Sequence, residues 1–144
     1  MKITRVNKNT KMNVATLIKQ AYESEEEFSI SDIAREIGNM PEFNSDRAKT
    51  IAQTETISSL NLAATATYVQ NKDLIDGKAW LAIDDGHARE THLQAATDYG
   101  TDNAIQVDEN FNVGGYECMC PGDIGLPPEE VVNCRCSVSP VVKV

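Results

Sequence analysis

The sequence predicts an α+β fold: N-terminal helices, one of them long, followed by a small β-rich C-terminal region with a cysteine and histidine cluster. Three observations carry this expectation. Apolar residues recur at helical spacing in the first half, as in Val14, Leu17, Ile18 and Ala21. Later apolar runs are short and bounded by Gly, Pro, Asn and Asp, the residues that turn a chain. All four cysteines fall in two C-x-C pairs, Cys118-Met119-Cys120 and Cys134-Arg135-Cys136, which no simple helix or strand requires.

The 144 residues suit one domain with an appended arm, and we divide them into a helical arm over 1–43 and a main domain over 44–144. A net charge of −9 argues against nonspecific nucleic-acid binding, because neutralising phosphates takes clustered Lys and Arg. No apolar run approaches the ~18 residues that a membrane span needs, so no membrane partner is expected. No apolar stretch follows the basic start, so no signal peptide is expected, and in a cytosolic chain cysteines serve as thiols or metal ligands more often than as disulfides.

The elements follow in order. Residues 12 to 27 read as a helix that ends in the solvated run Glu25-Glu26-Glu27. Residues 31 to 37 read as a short helix, with Ser31 as N-cap and Gly38-Asn39 as stop. Met40 to Phe43 is a break. A long helix then starts at a cap on Asn44 or Ser45 and runs to about Gln70. Ala48, Ile51, Ala52, Leu62, Ala63 and Ala66 share one of its faces, and Glu55 shares it too. A carboxylate there sits either at the solvent edge or buried beside a cation, since an unpaired buried charge is too costly. We take Arg89 as the partner, in a structural Glu55–Arg89 ion pair.

Asp76-Gly77 reads as a turn, Ala79 to Ile83 as a strand, and His87 to Ala96 as a helix whose first turn is favoured by Asp84 and Asp85. Arg89 and His92, three apart, fall on neighbouring positions of one helical face. Ile105 to Val107, the stretch from Phe111 to Tyr116, and Ser137 to Ser139 read as strands, the last broken by Pro140. Pro121-Gly122-Asp123 and Leu126-Pro127-Pro128 read as a rigid loop.

His92, Cys118, Cys120, Cys134 and Cys136 are the candidate metal ligands. Thiolate and imidazole in a tetrahedron suit a structural zinc ion. Half-buried free thiols and disulfides are the alternatives for the same residues. C-x-C is tighter than the usual C-x2-C knuckle, and five candidates exceed the four that a closed site uses. A hydrolytic site is a further reading: Asp85 and His92 resemble an acid–base pair of a metal-dependent hydrolase or nuclease. The Gly-rich phosphate loop, G-x-S-x-G and H-E-x-x-H are all missing from the sequence.

Several of these residues also form an ordered pattern. Arg47-Ala48-x-x-Ile51-Ala52-Gln53-Thr54-Glu55-Thr56 resembles the R-A-x-x-I-A-R-T-E-T helix of the phage minor head protein family, that of phage Mu protein F and the SPP1-type head morphogenesis proteins. Trp80, Asp84 or Asp85, Arg89 and His92 resemble its W-…-D-…-R-x-x-H segment. Phe111, Pro121-Gly122-Asp123 and Asn133-Cys134-Arg135-Cys136 resemble its closing F-…-P-G-D-…-N-C-R-C. The match covers roughly residues 44 to 140. Gln53 stands where the family usually has Arg, the Gly that follows the family's His is displaced here, and Cys118 and Cys120 lie outside the pattern.

The resemblance implies a minor capsid or head morphogenesis protein rather than an enzyme. Its implied partners are the phage portal and the capsid and scaffold proteins, with a link to DNA packaging or delivery. The implied location is the virion head, after assembly in the cytoplasm of the bacterial host. It also implies that Arg89, His92, Cys134 and Cys136 form a structural, metal-binding polar cluster. Members of this family carry a longer N-terminal region, so this chain corresponds to the family's C-terminal domain.

Overall fold

A computed structural model describes residues 8–24, 29–40 and 45–144. The expected acidic run Glu25–Glu27, the break over Pro41–Phe43, the Asn44 cap and the 43/44 division lie outside these residues. The architecture is α+β, with helices first and short strands last. It forms two compact units, residues 1–56 and 57–144.

The first unit holds helices α1 (Lys8–Glu23) and α2 (Ile30–Gly38) and the start of α3 (Ser45–Gln70). Its core is Val14, Ile18, Ile33, Ala34, Ile37, Ala48, Ile51 and Ala52. Burying each of the larger aliphatic side chains contributes roughly 1.5–3 kcal/mol. The N-cap of α2 is Ser29, not Ser31. Ser29 Oγ accepts from the Asp32 backbone N–H, and Asp32 Oδ2 accepts from the Ser29 N–H, a reciprocal capping box that the sequence around Ser31 lacks. The helix stops at Asn39 as expected.

Glu55 is exposed to solvent. A hydrated carboxylate needs no buried cation, so the reason for pairing it with Arg89 falls away, and the Arg89 guanidinium donates to the Val132 carbonyl oxygen.

In the second unit, α3 buries a polar face. Leu62, Ala63 and Ala66 are exposed, and Asn61 and Thr65 are buried. This overturns the expected apolar stripe beyond Ala52. The cause is strand β4 (Ser137–Val142): Asn61 Nδ2 donates to the Cys136 carbonyl at 3.0 Å, and its Oδ1 accepts from the Val138 N–H at 2.9 Å. One amide side chain thus serves as a strand partner.

Strand β1 (Ile75–Leu81) pairs antiparallel with β4. It begins earlier than the apolar run suggests. Gly77 is within it, beside a register irregularity, and is not a turn residue. A Cβ there would lie 2.6 Å from the Ile105 carbonyl oxygen, so glycine permits a close backbone approach. Lys78 exchanges both backbone hydrogen bonds with Ile105 at 2.8 and 3.1 Å. Lys78 therefore faces Pro140 as a non-hydrogen-bonded pair, and the missing N–H of Pro140 leaves β4 intact through Val142. Ile105 contributes this single bridge in place of the expected Ile105–Val107 strand.

The chain from Phe111 to Cys118 is a hairpin, β2 (Phe111–Val113) and β3 (Tyr116–Cys118), closed by Gly114 and Gly115, both at positive φ. Helix α4 spans Glu90–Asp98 with Arg89 as N-cap, so it starts too late for Asp84 and Asp85 to sit in its first turn. A short α5 (Pro128–Val131) opens on a proline, which suits a first-turn position because that N–H has no helical partner. The core is Trp80, Ala95, Phe111, Val113, Leu126, Val138 and all four cysteines.

Candidate metal centre

His92 projects from the first turn of α4 and is 1% exposed. Trp80 of β1 holds it edge-on, with ring centroids 5.5 Å apart at 73°, and Phe111 supports Trp80 in the same way at 5.4 Å. The imidazole is therefore fixed by an aromatic stack across three elements.

The Nδ1 edge faces sulfur. Cys136 Sγ lies 3.3 Å from it and Cys134 Sγ 3.7 Å. Asn133 adopts a left-handed backbone (φ 58°) immediately before the pair, and the Cys136 N–H donates to Cys134 Sγ at 3.4 Å. This local turn makes C-R-C converge, with both sulfurs on one side and Arg135 outward.

The Nε2 edge faces a carboxylate. Glu130 Oε2 of α5 lies 2.9 Å away, without the alignment of a hydrogen bond. Thr91 Oγ1 donates to the same oxygen at 2.9 Å. Glu130 is itself 8% exposed.

Hydrogen bonding splits the two thiols. Cys134 is pushed down, first by the hydrogen bond from the Cys136 thiol and then by His92, against burial. Cys136 is pushed up, first as that donor and then by burial, while the Trp80 indole N–H works the other way. The pair therefore favours one thiolate, on Cys134.

One ligand atom each from His92, Cys134 and Cys136 lies within 4.8 Å of the others. Among the described residues this is the group that could hold a metal ion. Cys118 and Cys120 are buried in the same core but lie outside that group. Burial, with the charge of Asp123 adding to it, pushes Cys118 up to about 12. Burial also raises Cys120, to about 11. Both are neutral thiols at pH 7, and all four cysteines are free of disulfides.

The remaining expected site residues have definite places. Asp85 Oδ2 accepts from Arg135, and Asp85 Oδ1 accepts from the His87 backbone N–H at 3.1 Å. The hydrogen bond from Arg135, then that from His87, holds the Asp85 carboxyl below its usual range. Asp85 is thus brought beside the C-R-C segment and not beside the His92 ring as an acid–base partner. The P-G-D loop is explained by packing. Gly122 (φ 78°) passes so close to α3 that a Cβ would clash with Ser58. Asp123 accepts from the Met119 and Gly125 N–H groups at 2.7 and 2.9 Å, which holds the Cys118–Cys120 segment. Sequence reasoning missed Glu130. The signal available was the general habit of ligating histidines to rest their other nitrogen on a carboxylate, with Glu129 and Glu130 close before Cys134.

Comparison with known proteins places this chain in a family. The chain is 36% identical over 118 residues to the protein called "Uncharacterized protein YqbB" of Bacillus subtilis (strain 168), covering 79% of this chain and 37% of that protein. It is 33% identical over 116 residues to "NAD(+)--arginine ADP-ribosyltransferase EFV" of Enterococcus faecalis (strain ATCC 700802 / V583), covering 79% of this chain and 23% of that protein. The chain thus spans well under half the length of either relative. No solved structure matches it. No described helix is long and apolar enough to cross a membrane. The family model of the "Phage Mu protein F like protein" matches residues 12–139, nearly the whole chain, and the protein belongs to that family of phage head-related proteins.

Proposed function

We propose that this chain is a head morphogenesis domain that acts through protein contacts in the assembling virion, with a structural zinc ion at His92, Cys134 and Cys136. Its partners in this reading are the portal and the capsid or scaffold proteins, and its place is the phage head, formed in the host cytoplasm. The observation that carries it is the family match over residues 12–139. The net charge of −9 favours protein contacts over DNA contacts.

The donor set fits zinc. Zn–S bonds of about 2.3 Å and Zn–N bonds of about 2.0 Å at a tetrahedral angle require S···N separations near ~3.5 Å. The separations here are 3.3 and 3.7 Å. Glu130 at the far nitrogen supplies the carboxylate that orients a ligating histidine and raises its basicity. Zinc would add a crosslink between α4 and the chain leading into β4.

The alternative is a metal-dependent hydrolase or nuclease using His92 and Asp85, and the enzyme name of the Enterococcus relative keeps a catalytic reading in view. Against it, His92 is buried, with Nδ1 facing the two sulfurs and Nε2 facing Glu130, and Asp85 is bound by Arg135.

The test is co-expression with the portal and capsid proteins of the same phage, followed by size-exclusion chromatography with mass analysis. A defined complex supports the reading, and no complex with either sinks it. Elemental analysis of protein purified under reducing conditions should find one zinc per chain, lost together with the fold on chelation. A metal-dependent nuclease or hydrolase activity that disappears in folded His92→Ala would favour the alternative.

A further inference from the structure

Three ligands leave a tetrahedral ion one position short of a closed structural site. Cys118 and Cys120 lie outside the group that surrounds the remaining position. The cluster instead opens to a narrow cleft whose lining includes His87, Arg89, Asn133 and Arg135. Of these four, only His87 carries a group that ligates zinc well. Guanidinium does not deprotonate, and a carboxamide is a poor ligand for this ion.

The loop that carries His87 is tied to the ligand segment. The His87 N–H donates to Asp85 Oδ1 at 3.1 Å, and Asp85 Oδ2 accepts from Arg135, the residue between the two ligand cysteines. Asp85 therefore clips residues 85–87 onto Cys134-Arg135-Cys136. Gly86 precedes His87 at φ 80°, with nothing within 4 Å of a built Cβ, so no packed atom crowds this turn. The imidazole of His87 is exposed and its ring lies outside the 4.8 Å group, so ligation needs a side-chain rotation into the cleft.

We propose that His87 is the fourth zinc ligand, closing an S2N2 site, and that Asp85 and Arg135 position it. This rests on the zinc reading above. It gives the exposed Asp85–Arg135 pair a task that stability alone does not, since exposed ion pairs contribute about 0–1 kcal/mol.

The test titrates the reduced, metal-stripped full chain with Co2+, then measures zinc affinity by competition with a chelator. The wild type should bind one Co2+ with the intense visible bands of a four-coordinate site. His87→Ala should fold normally by circular dichroism, bind zinc at least about tenfold more weakly and show weakened bands, a loss no smaller than that of an outer-shell partner. His87→Cys should restore affinity and add thiolate-to-cobalt charge transfer. Unchanged affinity and spectrum in His87→Ala would overturn the assignment of His87 alone. A wild type that binds neither Co2+ nor zinc would overturn the zinc reading beneath it, so the two failures separate.

Discussion

Glu130 Oε2 stands 2.9 Å from His92 Nε2, on the edge of the ring opposite the two sulfurs. The carboxylate sits at Nε2 and so leaves the Nδ1 edge to the two sulfurs. Glu130→Gln keeps the size and removes the charge, so zinc affinity should fall about 10–100-fold with the fold retained. Chelator competition reads this directly, and equal affinity for the two proteins would rule out a role for Glu130 in orienting the ligand.

Asn61 replaces a strand at the buried edge of β4. Asn61→Ala orphans the Cys136 carbonyl and the Val138 N–H, each normally satisfied by that one amide. Each buried orphan costs about 1–3 kcal/mol. Urea denaturation should show a loss in that range or twice it, and a loss below about 0.5 kcal/mol, the scale of ordinary surface substitutions, would mean that water replaces the amide.

These two contacts also show what the sequence made legible. The helices were readable because Val14, Ile18, Ile33 and Ile37 lie on buried faces at helical spacing. His92, Cys134 and Cys136 stood out because the chain has only four Cys and two His. The second half of α3 was misread because its buried face is Asn61 and Thr65, chosen for hydrogen bonding to β4, a tertiary demand that periodicity does not carry. Gly77 was misread as a turn because glycine marks close backbone approach as well as turns, and only the distance to Ile105 separates the two. The Ser29 capping box is written in the sequence as Ser-x-x-Asp, whereas Ser31 has Ala34 at the position that would close its own box.

Gly122 meets two constraints at once. Its φ of 78° is costly for any side chain, and a Cβ would lie 2.4 Å from Ser58 Oγ and 2.8 Å from Ser58 Cα. The second clash is with backbone, which cannot rotate away. Gly122→Ala should therefore destabilise by at least the ~1–3 kcal/mol of a strained backbone position. Adding Ser58→Gly should recover only part of that, because the φ strain and the clash with the backbone of residue 58 remain. Full recovery in thermal denaturation would show that the hydroxyl alone sets the glycine requirement.

Lys78 is fully buried, with Nζ donating to the Met119 carbonyl at 2.8 Å and lying 4.8 Å from the Phe111 ring centroid. No described carboxylate forms an ion pair with it. Burial depresses its pKa below the ordinary 10.5. The sign follows from linkage. Between the depressed folded pKa and the unfolded one, the unfolded chain binds more protons, so the Lys78 contribution to stability rises with pH in that window. The thiols of Cys118 and Cys120 act in the opposite direction. Their folded pKa values, about 12 and about 11, exceed the ordinary 9.0, so their contribution is full below pH 9 and is lost as pH rises through those values. Lys78→Met removes the ammonium and keeps most of the volume, and should be neutral to stabilising at pH 7, because a buried cation without an ion-pair partner is costly. Both proteins share the thiols, so to first order the difference between them isolates Lys78. That difference should shrink as pH rises from 7 toward 10.5. Urea denaturation at stepped pH measures it, and a gap that stays constant would mean that the buried amine keeps its ordinary pKa.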